Sequence, residues 1–318
     1  MSGDPLLEPD VLVLAGGGVL GEAWMTGVIG GLEDGAGIDL RAIESFVGTS
    51  AGSIVGARLA AGRRVRRPQA AGEAAAETAP IAGNGAAEAA SIAEPPGRAL
   101  PFGTAAARAL AAAISPLVDP LLVFGAPGGA VARAALLARA PRGERRLDEL
   151  IGWVEHIGAR FDGRLRVCCV DRRSGRRVVF GAPGAPPAPV GEAVAASCSI
   201  PGVFEPVEIG GREYVDGGAW SQTNLDAAPV GRSTRVLCLN PVLGLPRSGS
   251  TPWAALRSAW LLRAQVELLA LRRRGAEVRM IGPSPAAGEL MSVGLMNSGP
   301  RDAVLAAGYR QGRELTDG

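Results

Sequence analysis

The apolar residues of the chain fall into short continuous runs and longer spaced ones. Val11-Leu12-Val13-Leu14 is continuous and breaks at Gly16-Gly17-Gly18, the pattern of a buried strand running into a glycine loop. Behind it, Trp24, Val28, Ile29 and Leu32 supply the inner face of a helix predicted over Glu22 to Glu33. Ser45-Phe46-Val47 is a second short strand, cut off by Gly48-Thr49-Ser50-Ala51-Gly52, and Ser53 to Ala61 reads as the next helix. Strand, helix, strand, helix at the start of the chain predicts an α/β fold with a mainly parallel sheet.

Similar alternation returns further on. Leu165 to Val170 and Arg177 to Phe180 read as a strand pair around Asp171–Gly175. A helix follows from about Val190 to Ser197, a strand over Arg235 to Leu239, a long helix over Trp253 to Arg274, and a strand over Glu277 to Ile281. Between Arg63 and Arg146 the chain is rich in Ala, Gly, Pro and Arg, with few large side chains to pin helices. The expectation there is a surface-exposed helical insertion or cap, disordered near Ala70–Pro96 and better ordered over Leu100–Leu137. An Arg-bearing amphipathic cap could also touch a membrane surface transiently. No internal repeat is visible.

Composition narrows the chemistry. The 318 residues hold 33 basic side chains, all Arg, and a single His. Without Lys there is no Schiff-base amine and no Gly-Lys-Ser/Thr phosphate loop. One His cannot build a His-rich metal centre. A net charge of +2 gives no electrostatic footprint for nucleic acid. Cys168, Cys169, Cys198 and Cys238 form no C-x-x-C pair and read as free thiols of a reducing compartment. The start of the chain lacks a signal-peptide pattern, and no apolar run approaches the roughly 18 residues of a membrane span. The expected location is the cytoplasm, as a soluble protein.

Gly16-Gly17-Gly18-Val19-Leu20-Gly21 fits the G-x-G-x-x-G dinucleotide fingerprint. A nucleotide-dependent oxidoreductase would also need an acid at the end of the second strand. That strand ends in Phe46-Val47-Gly48, with Asp39 and Glu44 before it or at its start. Gly48-Thr49-Ser50-Ala51-Gly52 is G-x-S-x-G on a strand-to-helix turn, where a nucleophile elbow stands. A serine there can instead be a plain helix cap. If Ser50 attacks an acyl carbon, the amides of Gly17 and Gly18, on the adjacent strand's loop, could serve the oxyanion.

The base has two readings. His156 would complete a Ser-His-Asp triad, but Trp153-Val154-Glu155-His156-Ile157 reads as an ordinary helix. Asp216, in Tyr214-Val215-Asp216-Gly217-Gly218, sits at a strand end before two glycines, a pattern also common in hairpin turns. A carboxylate deprotonates Ser only if burial raises its pKa.

Four blocks in order, Gly16–Gly21, Gly48–Gly52, Ala196-Ser197-Cys198-Ser199-Ile200-Pro201 with Phe204 and Pro206, and Asp216-Gly217-Gly218 with Asn224 and Pro229, resemble the patatin-like phospholipase family. The resemblance implies a three-layer α/β/α patatin-like fold spanning residues 1–318, with 63–146 inserted. It implies Ser50 as nucleophile, Asp216 as base, an oxyanion site from Gly16, Gly17 and Gly18, and no catalytic His. The implied partner is a lipid or acyl-ester substrate, hydrolysed with no metal or cofactor. A thioesterase or acyltransferase would use the same dyad. Many members carry Arg or Lys where this chain has Leu20, so the resemblance carries over no headgroup, and the Ser197–Pro201 block is expected to support the nucleophile region.

Overall fold

Eight strands form one sheet in the computed structural model, which describes residues 8–68, 129–245 and 251–317. They are β1 (Val11–Leu14), β2 (Ser45–Thr49), β3 (Leu165–Asp171), β4 (Arg177–Phe180), β5 (Val207–Ile209), β6 (Arg212–Asp216), β7 (Arg235–Leu239) and β8 (Glu277–Ile281). Their order is β5-β6-β3-β2-β1-β7-β8, with β4 paired to β3. From β3 through β8 every pair along this path is parallel, and β4, β5 and β6 add an antiparallel side.

The described helices are α1 (Gly18–Ala36), α2 (Ala51–Ala60), α3 (Gly129–Arg139), α4 (Asp148–His156), α5 (Val190–Cys198), α6 (Thr251–Arg273), α7 (Pro285–Met291) and α8 (Arg301–Glu314). Leu12 and Leu14 of β1 face a core built from α1, α2, α4, α5, α7 and α8. Val11 and Val13 face the other way, toward Leu268 and Leu271 of α6. Helices on both faces bury every β1 side chain, so a continuous apolar run, not an alternating one, marks this strand. The three layers expected from the sequence are present.

α1 begins at Gly18 rather than Glu22, because the glycine loop itself supplies the first turn. α8 was not foreseen, and it covers the outer side of α1 in very close contact. A Cβ on Gly27 would lie 2.2 Å from Leu305 O, and one on Gly308 would lie 2.5 Å from Trp24 O. Trp24 Nε1 also donates to Gln311 Oε1 at 2.9 Å. Of the segment 63–146, the Ala70–Pro96 stretch and Leu100–Leu137 up to residue 128 lie outside the described residues. α3, near its end, buries Leu137 and Arg133.

Candidate active site

The strand register brings the two singled-out side chains together. Residues 165–168 of β3 pair with β2, and Thr49 lies opposite Cys168. On the same edge, residues 169–171 pair with β6, and Asp216 lies opposite Cys169. β4 overlaps both pairings and so occupies the other edge. The ends of β2 and β6 therefore meet head to head on consecutive residues of β3, which places Ser50 and Asp216 at one junction. The β5–β6 hairpin that delivers Asp216 turns on Gly210-Gly211, both at positive φ.

Ser50 sits at φ 51°, ψ −125°, a conformation that L-residues rarely adopt. It precedes α2, yet its side chain makes no capping hydrogen bond. The helix-cap reading of Ser50 thus fails to account for its hydroxyl. The sharp turn brings neighbouring backbone close. A Cβ on Gly48 would meet Ser53 Cα at 2.4 Å, and one on Gly52 would meet Leu14 O at 2.0 Å. Ser50 N–H donates to Ser197 Oγ (2.9 Å), and the Ser197 hydroxyl donates to Cys168 O (2.8 Å). Ser50 O accepts from Ser53 N–H (2.8 Å) and from the Ser53 hydroxyl (2.6 Å). The turn is held from both sides while the Ser50 hydroxyl stays uncommitted to the backbone.

Asp216 is 5% exposed. Burial pushes its pKa up to about 6, against the opposing Gly218 N–H bond and the lowering influence of the Ser50 hydroxyl. The Gly218 N–H to Asp216 Oδ1 distance is 2.6 Å, and Asp216 N–H donates to Ser199 O at 3.0 Å. Asn224 ties the two strand ends together: its Nδ2 donates to Thr49 Oγ1 (3.0 Å) and to Gly217 O (3.3 Å). The four cysteines are free, and burial pushes the Cys168 thiol up to about 12 and raises the other three.

The first glycine loop stands beside this junction, since β1 and β2 are parallel neighbours. Gly17 and Gly18 open α1, where backbone N–H groups have no intrahelical acceptor. Two helices, α1 and α2, thus aim their N-termini at the same region, which favours negative charge there. Gly16 differs from the expectation. Its N–H is engaged by Gln222 O at 2.8 Å. His156 ends α4 and is exposed. Asp39, the acid considered for a dinucleotide, precedes β2 and pairs with Arg41.

Sequence reasoning missed Gln222 and Glu267. Glu267 of α6 is 1% exposed and accepts from Leu225 N–H (2.9 Å) and Arg263 Nε (2.8 Å). Neither lies in a recognisable pattern; Gln222 could have been suspected only from its place between Gly218 and Asn224.

A sequence profile described as Patatin-like phospholipase matches residues 12–229. Among solved structures, the chain is similar to VipD from Legionella pneumophila, at 14% identity and a TM-score of 0.43, covering 98% of this chain and 67% of that one. It is also similar to the heterodimeric ExoU-SpcU complex of the type III secretion system of Pseudomonas aeruginosa, at 23% identity and a TM-score of 0.29. There the match covers 96% of this chain and 58% of the other, so this chain spans under two thirds of that protein. No curated protein sequence matches. No helix among the described residues is long and apolar enough to cross a membrane.

Proposed function

The chain belongs to the patatin-like phospholipase family, and from that premise we propose that it is a serine hydrolase of lipid carboxylic esters working through a Ser50–Asp216 dyad. The observation that carries this reading is the pairing of an uncapped Ser50 hydroxyl with a buried carboxylate whose pKa is pushed up to about 6. An acid in that range is basic enough to accept the serine proton and acidic enough to return it near neutrality.

Ser50 Oγ attacks the ester carbonyl as its proton passes to Asp216. The carbonyl oxygen becomes an oxyanion held by the Gly17 and Gly18 amides at the start of α1. The intermediate collapses, the Asp216 proton goes to the departing alkoxide, and the acyl group stays on Ser50. Water then gives a proton to Asp216, attacks the acyl carbon, and releases the fatty acid as Ser50 recovers its proton. Ser197 holds the elbow and Asn224 holds the spacing of the two strand ends.

Turnover of p-nitrophenyl esters and fluorophosphonate labelling test the assignment. Ser50→Ala and Asp216→Asn are expected to abolish turnover, and Ser50→Ala to abolish labelling. His156→Ala is expected to leave both within about two-fold. A folded His156→Ala protein without activity would overturn the dyad.

A further inference from the structure

Gln222 engages the first glycine loop twice. Its backbone carbonyl accepts the Gly16 N–H, and its side chain turns back over the same residue. A Cβ on Gly16 would stand 2.3 Å from Gln222 Oε1 and 3.5 Å from Ser50 Cβ. A Cβ on Gly218 would stand 2.8 Å from the same Oε1 and 3.0 Å from Asp216 Oδ1. The carboxamide therefore lies in the notch where the glycine loop meets the Asp-Gly-Gly turn, flanked by the serine and the acid. Gln222 is half-buried, yet no described residue hydrogen-bonds either end of its carboxamide, and neither end is sealed from solvent. The carboxamide is thus left to water in the resting site, and a substrate oxygen entering the cleft can replace that water without breaking any bond to the protein.

We propose that Gln222 is a third oxyanion donor, its Nε2–H joining the Gly17 and Gly18 amides on the ester carbonyl oxygen as negative charge develops. The side chain supplies the donor that the loop forfeits when Gly16 N–H is taken by the same residue's carbonyl. Rotation about the last side-chain bond exchanges the amide's oxygen and nitrogen, so either end can face the substrate. The inference rests on the acyl-transfer reading of Ser50 and Asp216.

Gln222→Leu and Gln222→Glu, which keep the backbone carbonyl, test it on a p-nitrophenyl ester. Gln222→Leu is expected to lower kcat ~10²-fold with little change in KM. Its affinity for a trifluoromethyl ketone, which forms a hemiketal oxyanion on Ser50, should fall in parallel. Gln222→Glu removes the donor and sets a second carboxylate beside Asp216. It should lose kcat similarly and move the acidic limb of the pH profile upward. Gln222→Leu with kcat within about two-fold of wild type, or a loss confined to KM, would overturn the role. Should Gln222→Leu not fold, an unchanged kcat and acidic limb in Gln222→Glu would overturn it equally. Turnover retained by Ser50→Ala would sink the acyl-transfer reading instead, whereas an inactive Ser50→Ala beside a fully active Gln222→Leu removes Gln222 alone.

Discussion

Asp216 is held in a state that favours its protonated form. A carboxyl whose folded pKa is raised from 3.8 to about 6 binds its proton more tightly folded than unfolded. Its contribution to stability is fully present below about pH 4 and is lost as pH rises through about 6, a cost of about 3 kcal/mol at alkaline pH. Asp216→Asn keeps an oxygen for Gly218 N–H and carries no charge. It should exceed wild type in stability by up to about 3 kcal/mol at pH 8, with the difference vanishing near pH 4. Chemical denaturation across that range checks it. Activity should run the opposite way, with kcat/KM of the wild type rising through about pH 6 as Asp216 ionises. Ser50 and Asp216 were legible because each depends on a local device, a glycine-flanked turn or a strand end before glycines. The Gly16 amide was not, because its acceptor comes from a residue two hundred positions away.

The segment from Gly217 to Ala227 carries no regular structure beyond two short 3-10 turns, so its shape depends on its neighbours. On one side Arg133 of α3 donates to Ala219 O at 3.0 Å and stacks 4.3 Å from the Trp220 ring centre. Arg263 of α6 approaches the same ring at 5.6 Å. On the other side Glu267, its pKa raised by burial, accepts Leu225 N–H. Leu225 directly follows Asn224, which spans to Thr49. Glu267→Ala would strand a buried N–H and the Arg263 guanidinium together. It should cost about 3 kcal/mol in urea denaturation and lower ester turnover as Asn224 loosens, with Glu267→Gln milder on both measures. The β5–β6 hairpin could have been read from Ile209-Gly210-Gly211-Arg212. The reach of α6 to this segment could not, since buried contacts distant in sequence leave no periodic mark.

At the scale of the whole molecule, the parallel strands were readable from continuous apolar runs and the three layers from the resemblance, while α7 and α8 were not. Half of α8 is polar, its apolar residues cluster at 303–307, and the face it presents to α1 is made partly of glycines, so hydrophobic spacing hides it. That face matters because α1 carries Gly17 and Gly18 at its start. Backbone-to-backbone contact at Gly27 and Gly308 leaves no side chain that could adjust, so the position of α1 is set by a helix near the other end of the numbering. The consequence concerns time. Chains are made from the N-terminus, and the ribosome finishes Ser50 and Asp216 well before residues 301–314 exist to cover Trp24 and Val28. Until residues 301–314 are made, α1 lacks the backbone surface that fixes it, so assembly of the Gly17 and Gly18 amides beside Ser50 is expected to follow their synthesis. Chains halted at residue 300 with Trp153, Trp220, Trp253 and Trp260 replaced by Phe are expected to show a solvent-shifted Trp24 fluorescence, and those with all tryptophans kept no ester turnover; full turnover would refute the dependence.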